Sequence, residues 1–262
     1  MSYKHLTLVL ASALVVSGSS LTFKVAAAGA GPGRPSLVAS ARQSLFPAAS
    51  LPPPQQLAEL APAADPEVLD LALAAVHCAQ AEGVGRTAQR LAVIDYSRSS
   101  LQPRLWVFDL ASRKLLYKEL VAHGQGSGGN VPTHFSNADG SHASSLGLFV
   151  TGSTYTGHNG LSLRMKGLER GINDAAMARA IVMHGAAYVN EVSGRQMGRL
   201  GRSWGCPALR QAVAKPIIDV MKNGQFVFSY YPDQAWLARS ALLHCAASHV
   251  ASRDTDGHPA SS

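Results

Sequence analysis

Residues 181–209, IVMHGAAYVNEVSGRQMGRLGRSWGCPAL, hold the one constellation in this chain that reads as chemistry. An apolar, strand-like run from Ala180 to Met183 ends in His184 and Gly185, and a Gly/Arg-rich loop then leads to Cys206 in Ser203-Trp204-Gly205-Cys206-Pro207. A cysteine thiol titrates near 8.5, so at neutral pH it is a poor nucleophile unless a base or a cation lies beside it. His184 is the candidate base. It stands 206 − 184 = 22 positions from the thiol, too far for one helical face but suited to two chain ends set side by side by a sheet. Gly205 lets the backbone turn sharply, so the N–H groups of Trp204, Gly205 and Cys206 are expected to converge on a developing oxyanion. Pro207 is expected to open a helix whose positive end lowers the thiol pKa further. The bland alternative is a buried cysteine acting as a small hydrophobe and a packed histidine near a strand end.

The rest of the sequence narrows the choice. The chain has 262 residues, 47% hydrophobic and 15% charged, enough for one sizeable core. Its net charge of +7 comes from scattered Lys and Arg without blocks or aromatic interleaving, so nucleic acid is not an expected partner. Lys4 and His5, the apolar stretch Leu6 to Val16 and small residues at Ala26-Ala27-Ala28 read residues 1–30 as a secretory signal, and no later stretch is long enough to span a bilayer. Residues 31–64, rich in Ala, Pro and Ser, read as a linker able to carry a short helix. Asp65-Pro66-Glu67 marks a helix start and Gly83 its end. Three strand-like runs follow, Leu91 to Tyr96, Leu105 to Leu110 and Leu115 to Ala122, the last two forming a hairpin. Further strands are expected at Leu146 to Thr151, Leu161 to Met165 and Phe226 to Tyr231. Helices are expected at Pro216 to Lys222 and Ala235 to Ala247, with a disordered tail over 248–262.

Other motifs lead nowhere specific. Gly124-Gln125-Gly126-Ser127-Gly128-Gly129 lacks the Lys-Ser/Thr ending of a phosphate loop and reads as a mobile loop. His134, His142 and His158 fit no zinc spacing, so neither a metal nor another cofactor is expected. His123, at a strand end, is a candidate for the cleft wall. Cys78 and Cys245 read as two buried thiols, with a bridge in an oxidising compartment as the alternative.

His184-Gly185 and Ser203-Trp204-Gly205-Cys206 resemble the catalytic core of the murein L,D-transpeptidases, the YkuD-like family. The likeness extends back through Val121-Ala122-His123-Gly124, Phe135-Ser136-Asn137, Ser144-Ser145-Leu146-Gly147, Tyr155-Thr156-Gly157, Gly167-Leu168-Glu169 and Asn173-Asp174, over about residues 91–231. One departure is Trp204, which stands where the broader family usually has a second histidine. The resemblance implies an α+β, mostly β, L,D-transpeptidase-like catalytic domain with flanking helices, over residues 65–247, in the periplasm or outside the cell. It implies peptidoglycan stem peptides as substrate, a Cys206 thioester and His184 as general base, with Gly147 where substrate lies along a sheet edge. Arg202 is then a candidate clamp for a substrate carboxylate, and Ser203 and Tyr188 candidates to orient His184. An L,D-carboxypeptidase using water, a cell-wall binding module without catalysis, and a cysteine amidase or peptidase for another substrate are the competing functions. The oligomeric state stays open.

Overall fold

The computed structural model describes residues 51–245. The expected signal (1–30), residues 31–50 of the linker and the tail (248–262) lie outside them. Among the described residues, helices α1 (Pro54–Leu60), α2 (Pro66–Ala81), α3 (Glu191–Met197), α4 (Gln211–Met221) and α5 (Gln234–Arg239), with residues 241–245 also helical, surround nine strands. The strands are β1 (Arg90–Asp95), β2 (Leu105–Asp109), β3 (Lys114–Glu119), β4 (Val121–Ala122), β5 (Gly147–Gly157), β6 (Gly160–Gly167), β7 (Val182–Ala186), β8 (Ala208–Arg210) and β9 (Phe226–Tyr230).

They form one mixed sheet in the order β3-β2-β1-β9-β5-β6-β7-β8-β4. The β1–β9 and β7–β8 pairs are parallel. The outermost strands, β3 and β4, are separated in the chain by Leu120 alone, so the sheet must curl back on itself as a barrel does. The seam is fastened twice. Arg210 of β8 forms a two-pronged ion pair with Glu119 of β3, at 2.7 and 2.9 Å. Arg104, fully buried, donates through Nε and Nη2 to the Val121 carbonyl while its own backbone N–H reaches the Glu119 carbonyl.

Local chemistry explains most element ends. The Asp65 carboxylate accepts from the Glu67 N–H, Pro66 occupies the first turn of α2, and the helix stops before Gly83 at φ +92°. Val68, Leu69, Ala72, Leu73, Ala75 and Val76 are buried among the side chains of the core; each larger side chain so buried stabilises by about 1.5–3 kcal/mol. The folded body begins ahead of residue 65. Leu57, Ala61 and Ala64 are buried in the same core, so this end of the Pro-rich segment is packed and not a tether.

Three expectations are corrected. The segment after Gly124 is not a free loop: Gln125–Ser127 is a turn of 3-10 helix, and the buried Ser127 hydroxyl accepts from the Ser144 N–H. Pro207 opens no helix. It leads into β8, where Ala208 and Leu209 pair with His184 and Gly185, and α4 begins only at Gln211 with Pro216 inside it. Finally, Cys78 of α2 and Cys245 are joined in a disulfide, with Cα atoms 5.9 Å apart.

Candidate active site

The parallel pairing of β7 and β8 brings the sequence motif together. His184 sits opposite Ala208, two residues beyond Cys206, and the Val182 N–H points at the Cys206 sulfur at 3.4 Å. The thiol lies 3.8 Å from the Ala180 carbonyl, which is positioned by a left-handed backbone at Ala180 (φ +52°). Cys206 is the free cysteine among the described residues. It lines a cavity of about 430 Å³ together with His184, Tyr188, Arg179, Ala180, His158, Asn159 and the Arg202–Trp204 segment. No hydrogen bond joins the thiol and the imidazole among the described residues. They share the cavity and the register, and contacts between such groups are often long or absent before substrate binds.

The histidine is set up as a base. Nδ1 lies 3.0 Å from the Gly185 carbonyl, an acceptor only, so Nδ1 carries the proton and Nε2 keeps a lone pair. Burial holds His184 below the usual histidine range, with the Gly185 carbonyl opposing. The Cys206 thiol is pushed up by burial, against the Val182 N–H and the Arg179 guanidinium, which pull it down. At neutral pH the resting pair is therefore a thiol beside a neutral imidazole.

The cysteine turn is built backbone against backbone. Gly205 adopts φ +115°, and a Cβ there would meet the Ala143 carbonyl at 2.8 Å, so only glycine fits without strain. The Ser203 N–H donates to His123 O and the Gln125 N–H to Ser203 O, which stitches the turn to residues 123–125. This changes the expected oxyanion donors. The Gly205 N–H is directed to Ser203 Oγ at 3.1 Å and is not free. Among the described residues, the N–H groups of Trp204 and Cys206 have no partner and remain available.

Several assignments move with the geometry. Ser203 does not orient His184; its hydroxyl donates to Cys206 O at 2.6 Å and so holds the turn. Tyr188 lines the cavity but makes no hydrogen bond to His184, and its phenol is pushed up to about 12 by burial, with the thiol adding to it. Arg202 donates to the Gly128 carbonyl at 2.6 Å, so its fork braces the glycine loop instead of standing free for a carboxylate. Gly147 is not at a sheet edge: β5 lies between β9 and β6, and Gly147 is bare because Glu169 and Asn173 press against it. His123 is buried behind the turn, not on the cleft wall. Its Nδ1 accepts from Arg104 at 2.7 Å, and burial, then that cation, depress it to about 3. His158 lines the cavity and His142 stacks on Trp204.

One residue has no signal in the sequence. Arg179 reaches into the cavity wall, donating through Nη1 to Ser136 O and Ser145 Oγ and through Nη2 to Ser141 Oγ and Ala143 O, all at 2.7–3.0 Å. A cation fixed by four bonds close to the cysteine turn supplies the positive field expected of a helix end at Pro207. The motif around Glu169 proves structural: its carboxylate accepts from the Leu148 and Trp236 N–H groups, while Asn173 caps the Leu146 and Leu148 carbonyls.

Residues 60–230 match the model of the L,D-transpeptidase catalytic domain. The chain belongs to that family. No curated protein matches it. Among solved structures, it is similar to an L,D-transpeptidase from Mycobacterium smegmatis, at 14% identity and a TM-score of 0.34, over 55% of this chain and 59% of that one. It is likewise similar to an L,D-transpeptidase from Stackebrandtia nassauensis (14%, 0.34, 62% and 65%). A mutant of the helical cell shape determining protein Pgp2 from Campylobacter jejuni gives 14%, 0.37, 64% and 57%. The chain thus spans under two thirds of the length of each. Among the described residues no helix is long and apolar enough to cross a membrane.

Proposed function

We propose that this L,D-transpeptidase family member acts on peptidoglycan stem peptides through a Cys206 thioester. His184 Nε2 takes the thiol proton, and the sulfur attacks the carbonyl between the L-centre of the diamino acid and the terminal D-residue. The oxyanion is held by the Trp204 and Cys206 N–H groups; losing one such donor typically costs on the order of 100-fold or more. The C–N bond then breaks, the D-residue leaves as an amine with the proton from His184, and a thioester remains. An amine of a second stem attacks it, gives its proton to His184, and forms the cross-link as the thiolate leaves and is reprotonated.

The observation that carries this reading is a free thiol two residues ahead of β8 and a base-form imidazole on its partner strand β7, lining one open cavity, with two amides at the thiol that have no partner among the described residues. The secretory-type N-terminus and the Cys78–Cys245 disulfide support action outside the cytoplasm. Purified protein incubated with a tetrapeptide muropeptide is the test, read by mass. Cross-linked dimers are expected. Tripeptide alone would make it a hydrolase, and unchanged substrate with no acylation of Cys206 would end the enzymatic reading.

A further inference from the structure

One side chain at the mouth of the cavity has no part in thioester chemistry. Trp204 is 71% exposed, whereas the chain's other two tryptophans, Trp106 and Trp236, are buried. A large aromatic left in water forgoes about 1.5–3 kcal/mol of burial. Its indole lies flat on the His142 imidazole, centroids 4.8 Å apart and planes within 9°. His142 is itself held in place: its Nδ1 meets Gln125 Nε2 at 3.1 Å, its carbonyl accepts from the Gly126 N–H, and its backbone is left-handed at φ +51°. The segment that fixes His142 is the one to which the cysteine turn is stitched. So one face of the indole is backed, the pair is rigidly tied to the nucleophile, and the other face is open to solvent beside the cavity.

We propose that Trp204 and His142 form a stacking platform for a pyranose ring of the glycan strand, holding the sugar while its stem peptide enters the cavity. This rests on the function proposed above. An aromatic face is electron-rich and apolar, and it suits a ring that presents a face of polarised C–H bonds between equatorial hydroxyls. The stem itself offers no flat group of that size: small and carboxylate-bearing residues join sugar to diamino acid. The reach also fits. Trp204 and Cys206 are two residues apart, at most about 7.6 Å between Cα atoms, and three stem residues extend roughly 10 Å. The sugar and the scissile carbonyl of one substrate can therefore occupy platform and thiol together.

The test uses Trp204 as its own reporter, since it is the exposed tryptophan. Full-length Cys206→Ala protein is titrated with a tetramer of N-acetylglucosamine and followed by tryptophan emission, acrylamide quenching and calorimetry. A saturable blue shift with protection from quencher is expected. His142→Asn, which tolerates the left-handed backbone, is expected to weaken binding about 3- to 10-fold. In the active protein, Trp204→Ala is expected to lower the ratio of kcat/KM for a disaccharide-tetrapeptide over the sugar-free tetrapeptide about tenfold, with Trp204→Phe restoring much of that ratio. An unchanged ratio, or no emission change up to millimolar saccharide, overturns the platform. So does a blue shift produced by the sugar-free stem, which would make the indole a peptide contact. Saccharide binding without turnover of either substrate would instead leave the platform standing and remove the catalytic reading.

Discussion

Two of the buried polar clusters among the described residues, around Glu169 and around Cys206, are finished to different degrees. Around Glu169 both carboxylate oxygens accept N–H bonds, and Asn173 saturates two carbonyls and the Glu169 N–H. Around Cys206, among the described residues, two amides and His184 Nε2 have no partner, and the thiol has one long contact on each side. Both sets of residues belong to the motif series that resembles one family. The difference teaches that a completed network holds the sheet together, while an incomplete one leaves donors and acceptors free for a group from outside, which is what the proposed acyl transfer needs.

That contrast is open to attack by substitution. Cys206→Ser is expected to lower turnover at least about 1,000-fold while leaving the thermal midpoint within a few degrees, measured by muropeptide kinetics and calorimetry. His184→Ala should cost about 100- to 10,000-fold in turnover, again with little loss of stability. Glu169→Ala should show the converse. It strands the Leu148 and Trp236 N–H groups and opens space beneath Gly147, and should lower stability by about 3 kcal/mol in urea unfolding, with near-normal thiol alkylation in the folded fraction. If Glu169→Ala abolished alkylation in fully folded protein, the division into holding and acting clusters would fail.

Smaller effects sharpen the same division through pH. His123 is held near 3 in the folded chain and titrates near 6.5 when unfolded, so the unfolded state binds more protons between those values. Stability should therefore be flat above about pH 6.5 and fall as pH drops toward 3, and His123→Gln should flatten that slope in denaturant midpoints. Least in size, Arg179→Met should move the midpoint of Cys206 alkylation to higher pH, with Arg179→Lys in between, because the guanidinium favours the thiolate. An unmoved midpoint would leave Arg179 as loop scaffolding only.

Much of this was legible from residues. Strands β1, β2 and β3 and helix α2 announce themselves by branched residues and by Asp65-Pro66, because their signals are local. That Cys206 and His184 come to one cavity was readable as well, since glycines flank both residues. What escaped had no local signal. Pro207 reads as a helix opener until β7 claims its neighbours. Arg179 is one arginine among many until its four acceptors fold around it. Gly147 looks like a substrate edge because the crowding by Glu169 arises from contacts 22 residues away. Cys78 and Cys245 stand 167 positions apart, a separation at which nothing in the letters selects a bridge.

Leu120 bears a consequence of the curled sheet. As the single link between its two outermost strands, it sets the phase of one margin against the other, like the joining tooth of a zipper bent into a ring. One residue inserted there would throw the short strand beyond it out of step, turning its side chains inside out. The serine-to-cysteine turn, which is bonded to His123 and Gln125 just beyond that strand, would be carried off its mark without any change to Cys206 or His184. The same insertion in the Ala111–Arg113 turn at the far side should pass almost unnoticed.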